Sequence, residues 1–359
     1  MLRNCWEVNP MSFKILVINP GSTSTKLAVF RDEYCEKERT IYHREGGLEI
    51  LEELPERLAD IRSWISQEGL EDFDAIVARG GLLKPIPSGT FRVNERMLED
   101  LRLRPQAHHA SNLGAFIADA FSKEWKVPAF IVDPVSVDEF NPLARYSGLP
   151  ELPRRALSHA LNIKAVARDV AGELGKKLEE CNFVVAHLGG GISVVPLEGG
   201  RIVDANDANQ GGPFSPERAG ALPTVDLVKL AFSGKYSERE LIARLTKKGG
   251  LTAYLNTNNA REVEKRISEG DAYALEVYQA MAYQIAKEIG AMSTVLKGKI
   301  DRIILTGGLA YSSMLVPWII ERVAFIAPTV VKPGEGEMRA LALGALRVLK
   351  GEEQPKDYD

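Results

Sequence analysis

Lys14–Phe30 reads KILVINPGSTSTKLAVF. Two apolar runs flank a small polar segment, which predicts strand, tight turn, strand. The turn, Asn19-Pro20-Gly21-Ser22-Thr23-Ser24-Thr25-Lys26, offers backbone N–H groups, several hydroxyls and a closing lysine. A concave turn of that kind suits phosphate oxygens. It is not a P-loop, since no GxxxxGK[ST] string occurs in the chain. Gly, Ser and Thr favour turns anyway, so taken alone the segment also fits an ordinary polar hairpin.

The same scheme returns at Phe183–Pro196, followed by a short strand at Arg201–Asp204. Here the turn carries His187-Leu188-Gly189-Gly190-Gly191. Three glycines in a row let backbone approach a ligand closely, although they do not complete GxGxxG. The distance from Asn19 to His187 is close to half of the 359 residues.

Each half continues with helices alternating with strands. In the first, apolar residues at 51, 54, 58, 61 and 65 predict a helix over Leu48–Gln67. A strand at Ala75–Ala78 leads to Arg79-Gly80-Gly81. Asn94 can cap a helix to Leu103, and Ser111 or Asn112 one to Trp125. A strand at Ala129–Val132 ends at Asp133. The second half reads as a helix at Leu157–Leu178 and a long helix at Asp271–Leu296. A strand at Ile303–Leu305 then enters Thr306-Gly307-Gly308, a turn on which an adenine ring can lie, or a plain strand-to-helix connection. A helix at Ser312–Val323, a strand at Phe325–Val331 and a last helix at Glu337–Leu349 follow. The stripe of Val277, Met281, Ile285, Ile289, Met292 and Leu296 fits a core face or a dimer face equally.

This pattern predicts an α/β protein of two similar domains, each a mixed sheet with flanking helices, and an active site in the interdomain cleft. The expected boundaries are 11–155 plus 337–359 for the first domain and 156–336 for the second. Residues 1–10 read as a weakly ordered leader, with translation starting at Met1 or Met11.

Composition removes several classes. A chain that is 45% hydrophobic and 26% charged can bury a core, which excludes a mainly disordered protein. A formal net charge of −4 lacks the basic footprint of a nucleic-acid binder, so any anion must be held by local groups. No apolar run approaches the roughly 18 residues of a membrane helix. Cys5, Cys35 and Cys181 form no CxxC pair, and their sparse, odd number suits a reducing cytoplasm. Isolated polar residues stand at strand ends or in Gly/Pro-rich loops: Arg79, His108, His109, Asp133, His159, Arg218 and Glu337. Taken one at a time, each also fits a surface charge or a satisfied histidine.

Together these strings resemble the acetokinase family, the acetate and butyrate kinases of the wider sugar-kinase, Hsp70 and actin superfamily. Asn19–Lys26 fits the family's N-x-G-S-[ST]-[ST]-x-K phosphate signature at every specified position. His187–Gly191 resembles its second phosphate motif and Thr306–Gly308 its adenosine motif. The strings His109-Ala110-Ser111-Asn112-Leu113-Gly114 and Gly212-Pro213-Phe214-Ser215-Pro216-Glu217-Arg218 resemble the butyrate branch.

The resemblance implies reversible phosphoryl transfer from ATP to a short-chain carboxylate, giving an acyl phosphate and ADP, with Mg²⁺. It implies Arg79, Asp133, His159 and Arg218 as catalytic residues. The nucleotide would meet Asn19, Gly21, Ser22, Ser24, Lys26, His187, Gly189, Gly190, Gly191, Thr306, Gly307 and Gly308. The acid would meet His109 (or His108), Asn112, Pro213 and Phe214. Asn19 and Glu337 (or Glu335) would serve the metal. Asp133 would orient Arg79 or a metal-bound water. The expected setting is the cytoplasm, as a homodimer or higher homo-oligomer, without nucleic-acid or membrane partners. Acetate or propionate is the alternative acid. An ATP-driven binding protein of the Hsp70 or actin kind would share the phosphate turns but would need a partner-binding module after Leu349.

Overall fold

The computed structural model describes residues 12–43, 50–103 and 110–359. The 1–10 leader, Met11, His108 and His109 lie outside the described residues. Contacts divide the chain into two units. One holds the residues up to Lys84 together with Gly89–Pro134 and Glu337–Asp359; the other holds Pro85–Ser88 and Val135–Gly336.

The first unit contains β1 (Lys14–Pro20), β2 (Ser24–Arg31), β3 (Tyr34–Tyr42), α1 (Leu54–Gln67), β4 (Ala75–Arg79), β5 (Thr90–Arg92), α2 (Glu95–Leu103), α3 (Leu113–Trp125) and β6 (Ala129–Val132). Its sheet runs β3-β2-β1-β4-β6-β5. β1 is antiparallel to β2 and parallel to β4, which is parallel to β6. Leu16 and Ile18 of β1 pack with Ile61 and Trp64 of α1 and Ile117 and Phe121 of α3. The alternate residues Ile15 and Val17 are equally buried, so the sheet is covered on both faces. The helix Glu337–Leu349 packs against β1, β4 and β6.

The second unit contains α4 (Ala160–Glu173), β7 (Phe183–Leu188), β8 (Ile192–Glu198), β9 (Arg201–Ile202), α5 (Thr224–Ala231), α6 (Glu238–Thr246), α7 (Gly250–Leu255), α8 (Ala260–Ser268), α9 (Ala272–Val295), β10 (Arg302–Gly307), α10 (Leu315–Val323) and β11 (Thr329–Pro333). The helix that closes the first unit is α11 (Glu337–Leu349). The second sheet runs β11-β10-β7-β8-β9. Its hairpin β7–β8 is antiparallel, and β7, β10 and β11 are parallel neighbours. The order is that of β6-β4-β1-β2-β3, so the α/β scheme is duplicated. No helix among the described residues is long and apolar enough to cross a membrane.

Asp271 caps α9 by accepting from the Ala274 N–H at 2.9 Å. The stripe from Val277 to Leu296 lies inside the core of its unit. It is therefore not a dimer face. Several element boundaries also differ from expectation. The strand near residue 325 starts at Thr329, because Phe325 is 86% exposed in the connection after α10. The helix read as Leu157–Leu178 is α4 alone, since Gly175 adopts a φ of 68° just after it.

Candidate active site

In the first unit the parallel strands β1, β4 and β6 end on one edge of the sheet. That edge carries Asn19, Arg79 and Asp133, and α11 opens on it with Glu337. The Asn19 Nδ2 donates to Glu337 Oε2 at 2.8 Å. The Arg79 Nη1 lies 3.1 Å from Glu337 Oε1 and 3.2 Å from Oε2. Asp133 is buried at a φ of 37°, a conformation costly for a residue with a side chain. Two bonds to Gly89 hold it there: its Oδ1 accepts from the Gly89 N–H at 2.7 Å, and its own N–H donates to the Gly89 carbonyl at 3.0 Å.

The β1–β2 turn is closed by the Gly21 N–H donating to the Ser24 carbonyl at 2.7 Å. Ser22 and Lys26 are exposed. Behind the turn sits Arg57, only 1% exposed. Its Nη1 donates to the Gly21 carbonyl and to Thr25 Oγ1, both at 3.0 Å, and its Nη2 to the Ser22 carbonyl at 3.4 Å. Glu53 takes the remaining charge, 2.6 Å from Nη2. Thr25 Oγ1 is also 2.8 Å from His43 Nε2. Burial, then the Arg57 charge, pushes the His43 pKa down against the pull of Asp60. A neutral His43 accepting from the hydroxyl fits that arrangement.

In the second unit His187 is the penultimate residue of β7 and is 2% exposed. Its ring stacks on His159, with centroids 4.1 Å apart and an angle of 14°. His159 Nδ1 lies 3.0 Å from Ser193 Oγ, and His187 Nδ1 lies 2.8 Å from Asn162 Oδ1. Arg218 is laid across the glycine turn. A Cβ on Gly191 would stand 2.1 Å from Arg218 Nη1, so only glycine permits this approach. Its loop is tied to the same turn: Ser215 Oγ donates to the Gly190 carbonyl at 2.5 Å, and the Arg218 N–H to Ser215 Oγ at 3.2 Å. Arg218 Nε is buried without a hydrogen-bond partner among the described residues. Burial pushes its pKa down, while Glu217 and Asp207 oppose the shift, so the group stays cationic. At the end of β10, Gly307 has a φ of 88°, and a Cβ there would meet the Leu188 carbonyl at 2.4 Å. Around Gly308 nothing lies within 4 Å of where a Cβ would stand, leaving room for a flat ring.

Residues 151–327 match the model of the acetokinase family. The chain is 54% identical over 352 residues to a protein named probable butyrate kinase 2 from Caldanaerobacter subterraneus subsp. tengcongensis, covering 96% of this chain and 99% of that one. It is 50% identical over 355 residues to butyrate kinase 2 of Clostridium acetobutylicum, covering 97% and 100%. The chain belongs to the butyrate kinase branch of the acetokinase family. Its fold is similar to the crystal structure of Porphyromonas gingivalis acetate kinase, with a TM-score of 0.76 at 16% identity, covering 94% of this chain and 100% of that one.

In this acetokinase-family chain, the residues singled out from sequence fall into two groups. Asn19, Arg79 and Glu337 meet in the first unit. His159, His187, Thr306 and the Gly189–Gly191 turn with Arg218 cluster in the second. Glu337, not Glu335, is the carboxylate that engages Asn19 and Arg79; the Glu335 carbonyl instead accepts from Asn162 Nδ2. Asn112 does not cap α3 with its side chain, because its Oδ1 accepts from the Leu82 N–H at 2.8 Å. Phe214 packs in the core and 5.9 Å from Tyr254, and Pro213 is buried beside it.

Asn19 and Glu337 together offer one amide and one carboxylate. Among the described residues no three His, Cys, Asp or Glu side chains converge as a metal cage. Such a sparse oxygen set fits Mg²⁺, which keeps several waters and binds substrate phosphates. Sequence reading missed Arg57, Asn162 and Ser193. Arg57 looks like any solvent-facing helix charge. Asn162 carried a usable signal, since it follows His159 by three residues and so shares its helix face.

Proposed function

We propose that this protein transfers the γ-phosphoryl group of ATP reversibly to butyrate, giving butyryl phosphate and ADP. A carboxylate oxygen forms the new bond to phosphorus as the bond to the bridging oxygen of ADP breaks. The attacking carboxylate carries no proton, so no general base is required. The reaction then depends on positioning and on cations placed where charge gathers. The observation that carries this reading is the Arg218 guanidinium laid over the Gly189–Gly191 turn, with a buried Nε that has no hydrogen-bond partner among the described residues.

In this reading Asn19, Gly21, Ser22, Ser24 and Lys26 bind phosphate oxygens, as do His187 and the Gly189–Gly191 turn. Thr306, Gly307 and Gly308 take the adenosine. Arg79 and Arg218 neutralise the carboxylate and the transferring group, and His159 donates to its equatorial oxygens. Asp133 orients Arg79, or would orient a water of the Mg²⁺ ion. Asn112, His109, Pro213 and Phe214 form the acid's surroundings. Asn19 and Glu337 would hold Mg²⁺ through waters, and the bound ion supplies further neutralisation of the phosphates.

Butyrate is chosen because the two relatives at 50–54% identity are named butyrate kinases. The test is acyl phosphate formation, trapped with hydroxylamine, across linear and branched C2 to C5 acids. Butyrate should give the highest kcat/KM. Absence of product with every acid defeats the reading, and a clear preference for acetate or propionate replaces the acid. Free Cys35 and Cys181 support a reducing, cytoplasmic setting. Exposed Val225, Val228 and Phe232, on and just after α5, support the expected homo-oligomer, which light scattering can check.

A further inference from the structure

Asn162 lies in the first turn of α4 and is buried. Its side chain meets three separate segments of the second unit. Nδ2 donates to the backbone carbonyl of Glu335, in the loop after β11. A carbonyl can only accept, so this bond assigns the orientation of the amide. Oδ1 is then the atom facing His187 Nδ1, at 2.8 Å, and Thr306 Oγ1, at 3.4 Å. The Thr306 hydroxyl also lies 3.2 Å from the Gly334 carbonyl, and its single hydrogen serves one acceptor at a time. An amide oxygen has no proton to give. The hydrogen between Asn162 and His187 therefore sits on His187 Nδ1.

From this geometry we infer that Asn162 is a positioning residue for nucleotide binding: it holds the His187 ring in the Nδ1–H form and ties it to the Thr306 turn. The inference rests on the reading of His187 and Thr306 as nucleotide contacts. With Nδ1 bonded to Asn162, Nε2 is the ring atom that would face a phosphate oxygen. Nδ1 carries its hydrogen in both the neutral ring and the imidazolium, so the ring need not turn when Nε2 gains a proton.

The first unit contains the same bracket in different chemistry. There Glu337 of α11 joins Asn19 on β1 to Arg79 on the parallel neighbour β4. In the second unit Asn162 of α4 joins His187 on β7 to Thr306 on its parallel neighbour β10, and those two residues are register partners. A helix-borne polar group thus clasps the ends of the two central parallel strands in each unit. A carboxylate suits the cation Arg79. An amide suits the second unit, where one partner is a carbonyl and the other an N–H.

The test uses the full chain with Asn162→Ala and Asn162→Asp. For Asn162→Ala, KM for ATP should rise about tenfold or more, with KM for butyrate within about twofold. Asn162→Asp keeps an acceptor for His187 but loses the donor to Glu335, so its KM for ATP should fall between the wild type and Asn162→Ala. The chain has five histidines, so ¹⁵N-histidine spectra are tractable, with His187→Gln supplying the assignment. The wild type should show His187 as the Nδ1–H form, and Asn162→Ala should lose that pattern.

The inference is overturned by an unchanged KM for ATP in Asn162→Ala, by a parallel rise in both KM values, or by a wild-type His187 protonated on Nε2 alone. If Asn162→Ala does not fold, Asn162→Asp decides, by its KM for ATP and its retained Nδ1–H signal. A wild type that makes no acyl phosphate overturns the functional reading instead, while the histidine spectrum still reports on Asn162.

Discussion

Arg57 in the first unit and Arg218 in the second each press against the turn of an equivalent hairpin, yet they are used differently. Arg57 lies behind its turn, with Glu53, two backbone carbonyls and the Thr25 hydroxyl around it. Its charge is consumed in holding the loop. Arg218 lies across its turn with a buried Nε that has no hydrogen-bond partner among the described residues. A desolvated guanidinium with an unsatisfied N–H costs stability, and such a cost is tolerated where charge is needed for chemistry. The second unit keeps a separate interior cation for structure. Lys164 is 2.8 Å from Glu139 and donates to the Gly200 carbonyl at 2.6 Å. The duplicated fold therefore sets one cation per unit to brace a loop and releases Arg218 from that duty.

The sharpest way to break this contrast is to truncate both arginines. Arg57→Ala leaves Glu53 and two turn carbonyls without their donor, and should destabilise the protein by about 3–5 kcal/mol, read from urea unfolding. A loss of less than about 1 kcal/mol would mean that the turn holds itself. Arg218→Ala should show the reverse. Stability should change little, while kcat for acyl phosphate formation falls about 100- to 1,000-fold, as for other lost transition-state donors. A mutant within tenfold of wild type would remove Arg218 from its proposed role.

Gly191→Ala tests the contact itself. The new Cβ would fall 2.1 Å from Arg218 Nη1, so the guanidinium must move. The expected result is a loss of about tenfold or more in kcat with a nearly unchanged Tm. Equal losses in activity and Tm would show that the turn, not the arginine, had been displaced.

The smallest expected effect concerns the bracing pair of the second unit. Burial raises the Glu139 pKa, but Lys164, the Ser88 hydroxyl and the Ile202 N–H outweigh it and hold the group at about 2, below its ordinary 4.5. A carboxyl depressed on folding contributes stability above its unfolded pKa and loses it as pH falls toward the folded one. The gap between wild type and Glu139→Gln should therefore be full near pH 5 and shrink between about pH 4.5 and 2. A gap independent of pH over that window would show that the charge of Glu139 is not what braces the loop.

Much of this was legible in the chain. The hairpins flanking Gly21 and Gly189–Gly191 stand out because strand alternation and glycine turns are local signals. The last helix, read at Glu337–Leu349, has those bounds. Phe325 misled, because an exposed phenylalanine in a connection has the same letter as a buried one in a strand. Asn112 misled too, since its position suits a cap but its oxygen was taken by the Leu82 N–H.

The sequence by itself determined the duplicated α/β order, the two glycine-bearing hairpin turns and the family. Those depend on residues close together along the chain, or on strings specific enough to stand alone. Tertiary structure alone decided which carboxylate meets Arg79, which arginine braces and which is left unsatisfied, and what Asn162 touches. Glu337 is 258 positions from Arg79, and Asn162 is 144 from Thr306. No local pattern encodes such pairings, because they exist only once the sheets have brought parallel strand ends and helix starts to one edge.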